Sequence, residues 1–259
     1  MVNLSVIIIT KNEEHCIENC LNSIAWCDEI IIVDSGSTDN TITICNKFTD
    51  KIYIKNNWQG FGHQKNLALT KATGKWVLSI DADEQVPIAL RQEIEFVINS
   101  SELFAFRIPR LSNYCGKWMR HSGWFPDYII RLFKRNYASF TNDLIHEKIQ
   151  VNNDKIGTLQ NSLLHYSFTS LEEVLEKINS YSSANAQMHY EKDKQSSLKQ
   201  AVWHGLWAFI RTYLLRAGFL DGKEGFMLAV SNAEGTYYRY LKLMYLQENA
   251  KNKRNSNNL

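Results

Sequence analysis

The architecture of this chain follows first from Ser5-Val6-Ile7-Ile8-Ile9-Thr10-Lys11-Asn12-Glu13, a β-branched run that gives way to polar residues. This pattern predicts a buried strand and a turn into a helix that runs to about Ile24. It returns at Glu29-Ile30-Ile31-Ile32-Val33, before the polar turn Asp34-Ser35-Gly36-Ser37-Thr38-Asp39. Further strands are expected over 51–54 and 76–80, on either side of a helix over 64–73. Strands that alternate with helices predict a doubly wound, mostly parallel α/β sheet.

Composition and charge narrow the class of protein. The 259 residues are 44% hydrophobic and 22% charged, which is enough for one large α/β domain with an extension. The net charge of +2 gives no reason to expect nucleic acid as a partner. The five cysteines show no zinc spacing and are expected to be reduced, buried thiols. The chain opens without the features of a secretory signal, so we expect a cytoplasmic protein.

The pattern changes after Pro87. A helix to about Asn99 is followed by a strand over 104–108 and by an aromatic, basic stretch from Tyr114 to Arg135. From Ser170 onward helices are expected near 170–193, 198–218 and 223–249. The apolar stretch 201–220 contains one histidine and two arginines, so we do not expect a transmembrane helix.

The tripeptide Asp81-Ala82-Asp83 ends the fourth predicted strand. Two carboxylates around one residue can bind a hard divalent cation together with a diphosphate. The same aspartates can instead cap the following helix. The chain lacks the glycine-rich motifs of dinucleotide-binding and P-loop proteins, which disfavours dehydrogenase and P-loop chemistry.

Three stretches in this order, Ser5 to Glu13, Ile32 to Asp39 and Ser79 to Asp83, resemble the motifs of family-2 glycosyltransferases. The resemblance implies a GT-A fold, a nucleotide-diphosphate sugar donor, Mg²⁺ or Mn²⁺, and inversion at the anomeric carbon. Three later stretches, Asn142 to Glu147, His165 to Phe168 and Tyr213 to Gly222, resemble the lipopolysaccharide core β-1,4-glucosyltransferase subgroup. We therefore divide the chain into a catalytic domain over 1–168 and a helical extension over 169–259. Within the catalytic domain, 1–100 would bind the nucleotide sugar and 101–168 would face the acceptor.

The resemblance also implies roles for residues of the donor site. Thr10, Asn12 and Glu13 would line the nucleoside pocket, and Asp34 would bond the base or ribose. Helix capping is the alternative for these polar residues. Lys65 stands where the family usually has arginine and would neutralise the diphosphate, although an exposed helix lysine is the alternative. Asp81 and Ala82 complete the donor-binding set.

The remaining roles concern the metal and the acceptor hydroxyl. Asp83 would be the main metal ligand, and His165 would complete the metal shell or remain a core histidine. Glu147 would be the base that removes the acceptor hydroxyl proton as the oxygen attacks the sugar, unless it forms a salt bridge to Lys148 or Arg135.

Two further segments concern the acceptor and the membrane. In the stretch 118–135, aromatic and basic residues alternate in a way that suits an anionic glycan, or equally a buried aromatic cluster. Trp203, Trp207, Ile210 and Leu214 share a helix face, for which packing is the first expectation. Residues 199–259 hold nine Lys/Arg against four Asp/Glu, so docking on the anionic inner-membrane leaflet is the alternative.

Together these expectations describe an enzyme that transfers a hexose, glucose from UDP-glucose first, to an inner-core sugar of lipopolysaccharide or a related bacterial glycolipid. The alternatives are transfer to a polyprenyl phosphate, which needs no strong base, and a non-catalytic module that binds sugar nucleotides or glycans.

Overall fold

A computed structural model of the protein describes residues 2–141 and 148–256, with side chains through Ala250. Strands and helices alternate in the first part of the chain, as predicted. In chain order, they are β1 (Leu4–Thr10), α1 (Ile17–Ile24), β2 (Glu29–Asp34), α2 (Thr41–Cys45), β3 (Ile52–Ile54), α3 (Phe61–Lys71) and β4 (Trp76–Ser79). The third helix begins earlier than predicted, at Phe61, because Gly60 precedes it with a φ of 104° that suits glycine.

The first four strands form a parallel sheet. β1 pairs with β2 on one side and with β4 on the other, and β3 pairs with β2. Helices cover both faces: Val6 and Ile8 pack with α1, while Ile7 packs with the Ala68 region of α3. Because both faces are covered, these strands read as continuous apolar runs instead of alternating ones. The doubly wound sheet is therefore confirmed.

The chain then adds mostly antiparallel strands. The elements are β5 (Glu84–Gln85), α4 (Ile88–Ser100), β6 (Ala105–Tyr114), β7 (Lys117–Trp118), β8 (Asp127–Lys134), β9 (Ala138–Phe140), β10 (Ile149–Val151), β11 (Ile156–Thr158) and β12 (Leu163–Phe168). β8 runs antiparallel to both β4 and β6, and β12 runs antiparallel to β5. These pairings extend the parallel sheet and bring β12 beside the turn that follows β4.

The last part of the chain is helical. It contains α5 (Leu171–Glu191), α6 (Leu198–Ile210), a π-helical turn (Arg211–Leu215), a 3₁₀ turn (Gly218–Asp221) and α7 (Lys223–Ser256). The single helix predicted over 198–218 continues beyond Ile210 as the π-helical turn and ends at Leu215, shortly before Ala217, whose φ of 52° is left-handed. No helix in the described part of the chain combines the length and the apolar character that crossing a membrane requires.

The chain divides into two compact units. The first comprises residues 1–111 and 126–166, and the second comprises residues 112–125 and 167–259. The first unit holds the sheet with its two apolar layers. In the second unit, α5 and α6 both pack against α7. The domain boundary expected at residue 168 stays a prediction.

Candidate active site

The carboxyl ends of β1 and β2 lie side by side. Thr10 and Asp34 are register partners, and the Ser35 amide donates to the Thr10 carbonyl over 2.9 Å. Ligands of open α/β sheets bind at this edge, where the strands end and the polar turns begin. The structure therefore places two of the predicted donor-site segments together.

Hydrogen bonds hold the polar turns in place. Asp34 Oδ1 accepts from the amides of Gly36 and Ser37, each at 2.8 Å, and Asp34 Oδ2 accepts from the Ser37 hydroxyl at 2.5 Å. Asn12, with a φ of 57°, accepts the Thr38 amide at 2.8 Å through Oδ1. Asp34 and Asn12 thus bond backbone amides of the turn after β2, and neither of them caps α1 or α2. Direct contact with a nucleoside stays a prediction for both.

A pocket of about 400 Å³ opens beside these turns. It is lined by Ile9, Thr10, Lys11, Glu13, Ser35, Trp58 and Phe61. The rings of Trp58 and Phe61 meet edge to face with centroids 4.8 Å apart, and both side chains are exposed. The buried Thr10 hydroxyl has no hydrogen-bond partner among the described residues. Sequence reasoning did not single out Trp58 and Phe61 as pocket residues, although an aromatic residue on each side of Gly60 in an otherwise polar stretch was a signal.

Lys65 is buried and reaches the first aspartate of the strand-end pair. Its Nζ lies 2.9 Å from Asp81 Oδ1, and only 6% of its side chain is exposed. The alternative of an exposed helix lysine is therefore wrong. Lys65 lies on α3, so this contact ties α3 to the turn after β4.

Arg131 of β8 was expected on the acceptor side, but it is buried in the same network. Its guanidinium bonds Asp81 Oδ2 and lies 2.6 Å from Glu84 Oε1. Glu84, which is fully buried, also accepts the Asp81 amide at 2.9 Å. Antiparallel pairing of β8 with β4 brings Arg131 here, which the sequence could not show.

Charges in this network shift several pKa values. Burial raises the pKa of Asp81, but Arg131 and Lys65 outweigh it and hold the pKa well below its ordinary range. Burial raises the pKa of Glu84. Burial also raises the pKa of Glu13, and the nearby Asp83 and Asp39 add to the shift although Cys16 bonds its carboxylate. Asp81 is thus an ionised carboxylate, and Glu13 takes up a proton more readily than an ordinary glutamate.

Asp83 and His165 form the second half of the site. Asp83 Oδ2 lies 3.2 Å from His165 Nε2, and the Tyr166 amide donates to the Asp83 carbonyl at 2.9 Å. The register of β12 against β5 fixes this approach, because His165 lies opposite Glu84. Ala82, between the two aspartates, is buried.

The Asp83 carboxylate and the His165 imidazole are groups that can bind a divalent cation, and their 3.2 Å contact is equally that of an ordinary ion pair. An octahedral ion with ligand distances of about 2.1 Å places neighbouring ligands about 3 Å apart, close to the separation of these two atoms. Among the described residues no group of three or more His, Cys, Asp or Glu side chains is arranged to hold a metal. Two protein ligands suit Mg²⁺ or Mn²⁺ shared with a diphosphate and water, because such ions keep several non-protein ligands.

The residues predicted for the acceptor side are Glu147 and the stretch 118–135. Glu147 lies outside the described residues. In the stretch 118–135, Trp124 packs on Tyr114 and Phe168, and Lys134 lies over the Phe104 ring. These contacts support the buried-cluster alternative for part of the stretch, whereas Tyr128 is 52% exposed.

A sheet whose carboxyl edge carries a pocket and the buried Lys65 side chain is typical of α/β proteins that bind a ligand at that edge. Residues 5–158, more than half of the chain, match the model of glycosyl transferase family 2. The chain belongs to this family and is a glycosyltransferase. The prediction of a GT-A fold with a C-terminal helical extension is confirmed.

Individual relatives agree with the family assignment. An uncharacterized glycosyltransferase of Rickettsia typhi is 33% identical over 264 residues, covering 97% of this chain and 90% of the relative. The lipopolysaccharide core biosynthesis glycosyltransferase LpsC of Rhizobium meliloti is 30% identical over 241 residues, covering 89% and 87%. A crystal structure of S. aureus TarS 1-349 in complex with UDP-GlcNAc is 16% identical, with a TM-score of 0.48 and coverage of 95% and 92%. The predicted resemblance to lipopolysaccharide core glycosyltransferases is confirmed by LpsC.

Proposed function

We propose that the protein is an inverting glycosyltransferase that transfers a hexose from a UDP-sugar to an inner-core sugar of lipopolysaccharide or a related bacterial glycolipid. UDP-glucose is the first donor to test. The observation that carries the proposal is the approach of Asp83 to His165 beside the Asp81–Lys65 pair, at the sheet edge that also holds the pocket. The relationship to LpsC supports the choice of acceptor.

The donor would lie along this edge. Thr10 and Glu13 line the pocket proposed for the nucleoside, and Asn12 and Asp34 hold the turns that shape it. Lys65 is proposed to face the diphosphate from beside Asp81. The small side chain of Ala82 is proposed to leave room for the sugar nucleotide between the two aspartates. A buried cation next to a phosphate is weakly screened, so its contribution to binding is large.

Mg²⁺ or Mn²⁺ would be held by Asp83 and His165. When bound, such an ion stabilises the negative charge that develops on the departing diphosphate. Lys65 is proposed to act on the same charge from a fixed position, which requires no rearrangement during the reaction.

Proton removal from the acceptor hydroxyl is assigned to Glu147. A carboxylate with an ordinary pKa of about 4.3 is ionised at neutral pH and can accept this proton. Because the acceptor is lipid-linked in this proposal, the enzyme would work at the cytoplasmic face of the inner membrane.

Asp83→Ala tests the metal assignment. We expect calorimetric titration with UDP-glucose to show binding by the unchanged protein that is stronger with Mn²⁺ than with EDTA. The variant should lose this difference, because one of its two metal ligands is gone. Asp154→Ala, at an exposed aspartate, is the control and should bind as the unchanged protein does. An undiminished effect of Mn²⁺ on the Asp83→Ala variant would overturn the assignment.

Glu147→Gln tests the base. We expect kcat to fall about 10²- to 10⁴-fold while UDP-glucose affinity is unchanged, because general base catalysis contributes about that factor. Glu102→Gln, at an exposed glutamate, is the control with unchanged kcat. If Glu147→Gln retained full kcat, a phosphate acceptor such as a polyprenyl phosphate would replace the hydroxyl acceptor in the proposal.

A further inference from the structure

Helix α6 buries its small residues and exposes its large ones. Its inward stripe consists of Ala201, Gly205 and Ala208, which are all buried. Trp203 is 64% exposed and Trp207 is 45% exposed. The expectation that these tryptophans pack inside the protein is therefore wrong.

Close packing fixes this orientation of α6. A Cβ added at Gly205 would lie 3.2 Å from the Tyr237 Cβ and 3.3 Å from the Ala233 carbonyl oxygen, both on α7. The His204 ring stacks on Tyr240 with centroids 4.3 Å apart. A rotation that buried the tryptophans would bring large side chains to a contact where even a Cβ is tight, so the packing of α6 on α7 favours their exposure.

Exposed apolar side chains continue past the end of α6. Leu215 is 66% exposed and Leu220 is 59% exposed, in the turns that follow the helix. We name the whole set the α6 apolar surface. It comprises Leu198, Val202, Trp203, Leu206, Trp207, Leu214, Leu215, Phe219 and Leu220, each at least 45% exposed. A set of this size exceeds the scattered exposed apolar residues of an ordinary protein surface and indicates a binding face.

The segment that carries this surface has charges of one sign. Residues 194–220 contain Lys194, Lys199, Arg211 and Arg216 but neither aspartate nor glutamate. All four cations are exposed. Tryptophan among leucines, with lysine and arginine beside them, is the composition of helices that lie in the interface of an anionic bilayer.

A second copy of the chain is a poorer occupant. In a two-fold interface the same surface is present on both sides, so the four cations of each copy would face a segment whose charges are also all positive. Without a carboxylate in the segment to pair with them, such an interface would be repulsive. The headgroups of anionic lipids offer the complementary charge.

We propose that the α6 apolar surface docks the protein on an anionic lipid bilayer, with α6 lying in the plane of the interface. The reason for docking, which is access to a lipid-linked acceptor, rests on the proposed function. Docking itself requires neither donor nor acceptor, so the two proposals fail separately.

The test is flotation of the full-length protein with vesicles of phosphatidylethanolamine and phosphatidylglycerol, without glycolipid or nucleotide. We expect the protein to float with these vesicles and less with phosphatidylcholine alone. Trp203→Ala/Trp207→Ala should lower the partition coefficient at least about tenfold, because two large interfacial side chains are removed. Ile88→Ala/Phe96→Ala, at residues of α4 that are 76% and 71% exposed, is the matched control and should float as the unchanged protein does.

A charge variant gives a second, independent measurement. Lys199→Gln/Arg211→Gln should weaken flotation several-fold, whereas Lys71→Gln/Lys155→Gln should not, because only the first pair adjoins the surface. Raising salt from about 0.1 M to about 1 M should weaken binding of the unchanged protein by screening.

Failure to float, or equal flotation of the tryptophan variant and its control, would overturn the proposal. A dimer in light scattering that the tryptophan variant abolishes would assign the surface to a second copy instead.

Discussion

Lys65 is a buried cation, so solvent screens its charge only weakly. The Lys65 side chain is 6% exposed and its Nζ lies 2.9 Å from Asp81 Oδ1, while Arg131 bonds the other oxygen of the same carboxylate. Arg131 also pairs with Glu84, whereas the Lys65 ammonium group lies beside Asp81 and is the cation proposed to face a diphosphate. The sequence identified Lys65 only through its resemblance to a family position, and its burial depended on where α3 lies against the turn after β4.

Lys65→Gln should weaken UDP-glucose binding at least about tenfold, because a partly desolvated charge on a phosphate contributes more than an exposed one. Lys65→Arg should retain most of the affinity, since it keeps the charge and adds a bidentate donor. Calorimetry with Mn²⁺ measures both.

The control for this prediction is Lys71→Gln, at an exposed residue of the same helix. Equal affinities of the Lys65→Gln and Lys71→Gln variants would show that Lys65 serves only to hold Asp81 in place.

At the element scale, the contact of α7 with the preceding 3₁₀ turn depends on glycine. A Cβ added at Gly225 would lie 1.9 Å from the Gly218 carbonyl oxygen, which is a backbone atom without room to move. At Gly235, on the same helix, the nearest side-chain atom would be 3.7 Å away, an ordinary contact. The sequence shows both glycines within one helical pattern and does not distinguish them.

Gly225→Ala should lower the free energy of unfolding by about 3 kcal/mol, because the overlap forces the backbone to shift. Gly235→Ala should instead raise it by about 0.5 to 1 kcal/mol, since alanine favours a helix interior over glycine. Urea denaturation followed by circular dichroism compares them. Equal midpoints for the two variants would contradict the close approach of α7 to the turn.

Across the whole molecule, acid stability depends on buried carboxylates such as Glu29. This residue accepts the Thr73 amide at 2.8 Å and the Ser5 hydroxyl, and it pairs with Lys51 at 2.5 Å. Burial raises the pKa of Glu29, but these partners outweigh it and lower the pKa from 4.5 to about 2. The stabilisation is complete above pH about 4.5 and is lost as the pH falls through about 2.

The shift of Glu29 corresponds to at most about 3 kcal/mol of folding free energy at neutral pH, at about 1.4 kcal/mol per pKa unit, and solvent around the exposed partner Lys51 lowers this figure. Glu29→Gln should therefore be less stable than the unchanged protein at pH 7, and the difference should shrink as the pH falls from about 4.5 to about 2. Chemical denaturation at several pH values measures this.

Glu18→Gln is the control, because Glu18 forms an exposed ion pair with Lys47 that contributes little. A difference between the Glu29→Gln variant and the unchanged protein that stayed constant over the acid range would show that the Glu29 charge is not involved.

The residues of the chain were sufficient to predict the parallel α/β sheet, because β-branched runs buried on both faces leave a pattern that is local in sequence. They were also sufficient to place Thr10, Asp34 and Asp83 at strand ends, since parallel strands bring their carboxyl ends to one edge. The family followed from the order of these motifs.

Only the tertiary structure decided which side chains meet. Asp83 approaches His165 through the register of β12 with β5, and Arg131 reaches Asp81 through antiparallel pairing of β8 with β4. The outward orientation of Trp203 follows from the contact of Gly205 with α7. In each case the partners are far apart in sequence, and no local pattern carries the distance between them.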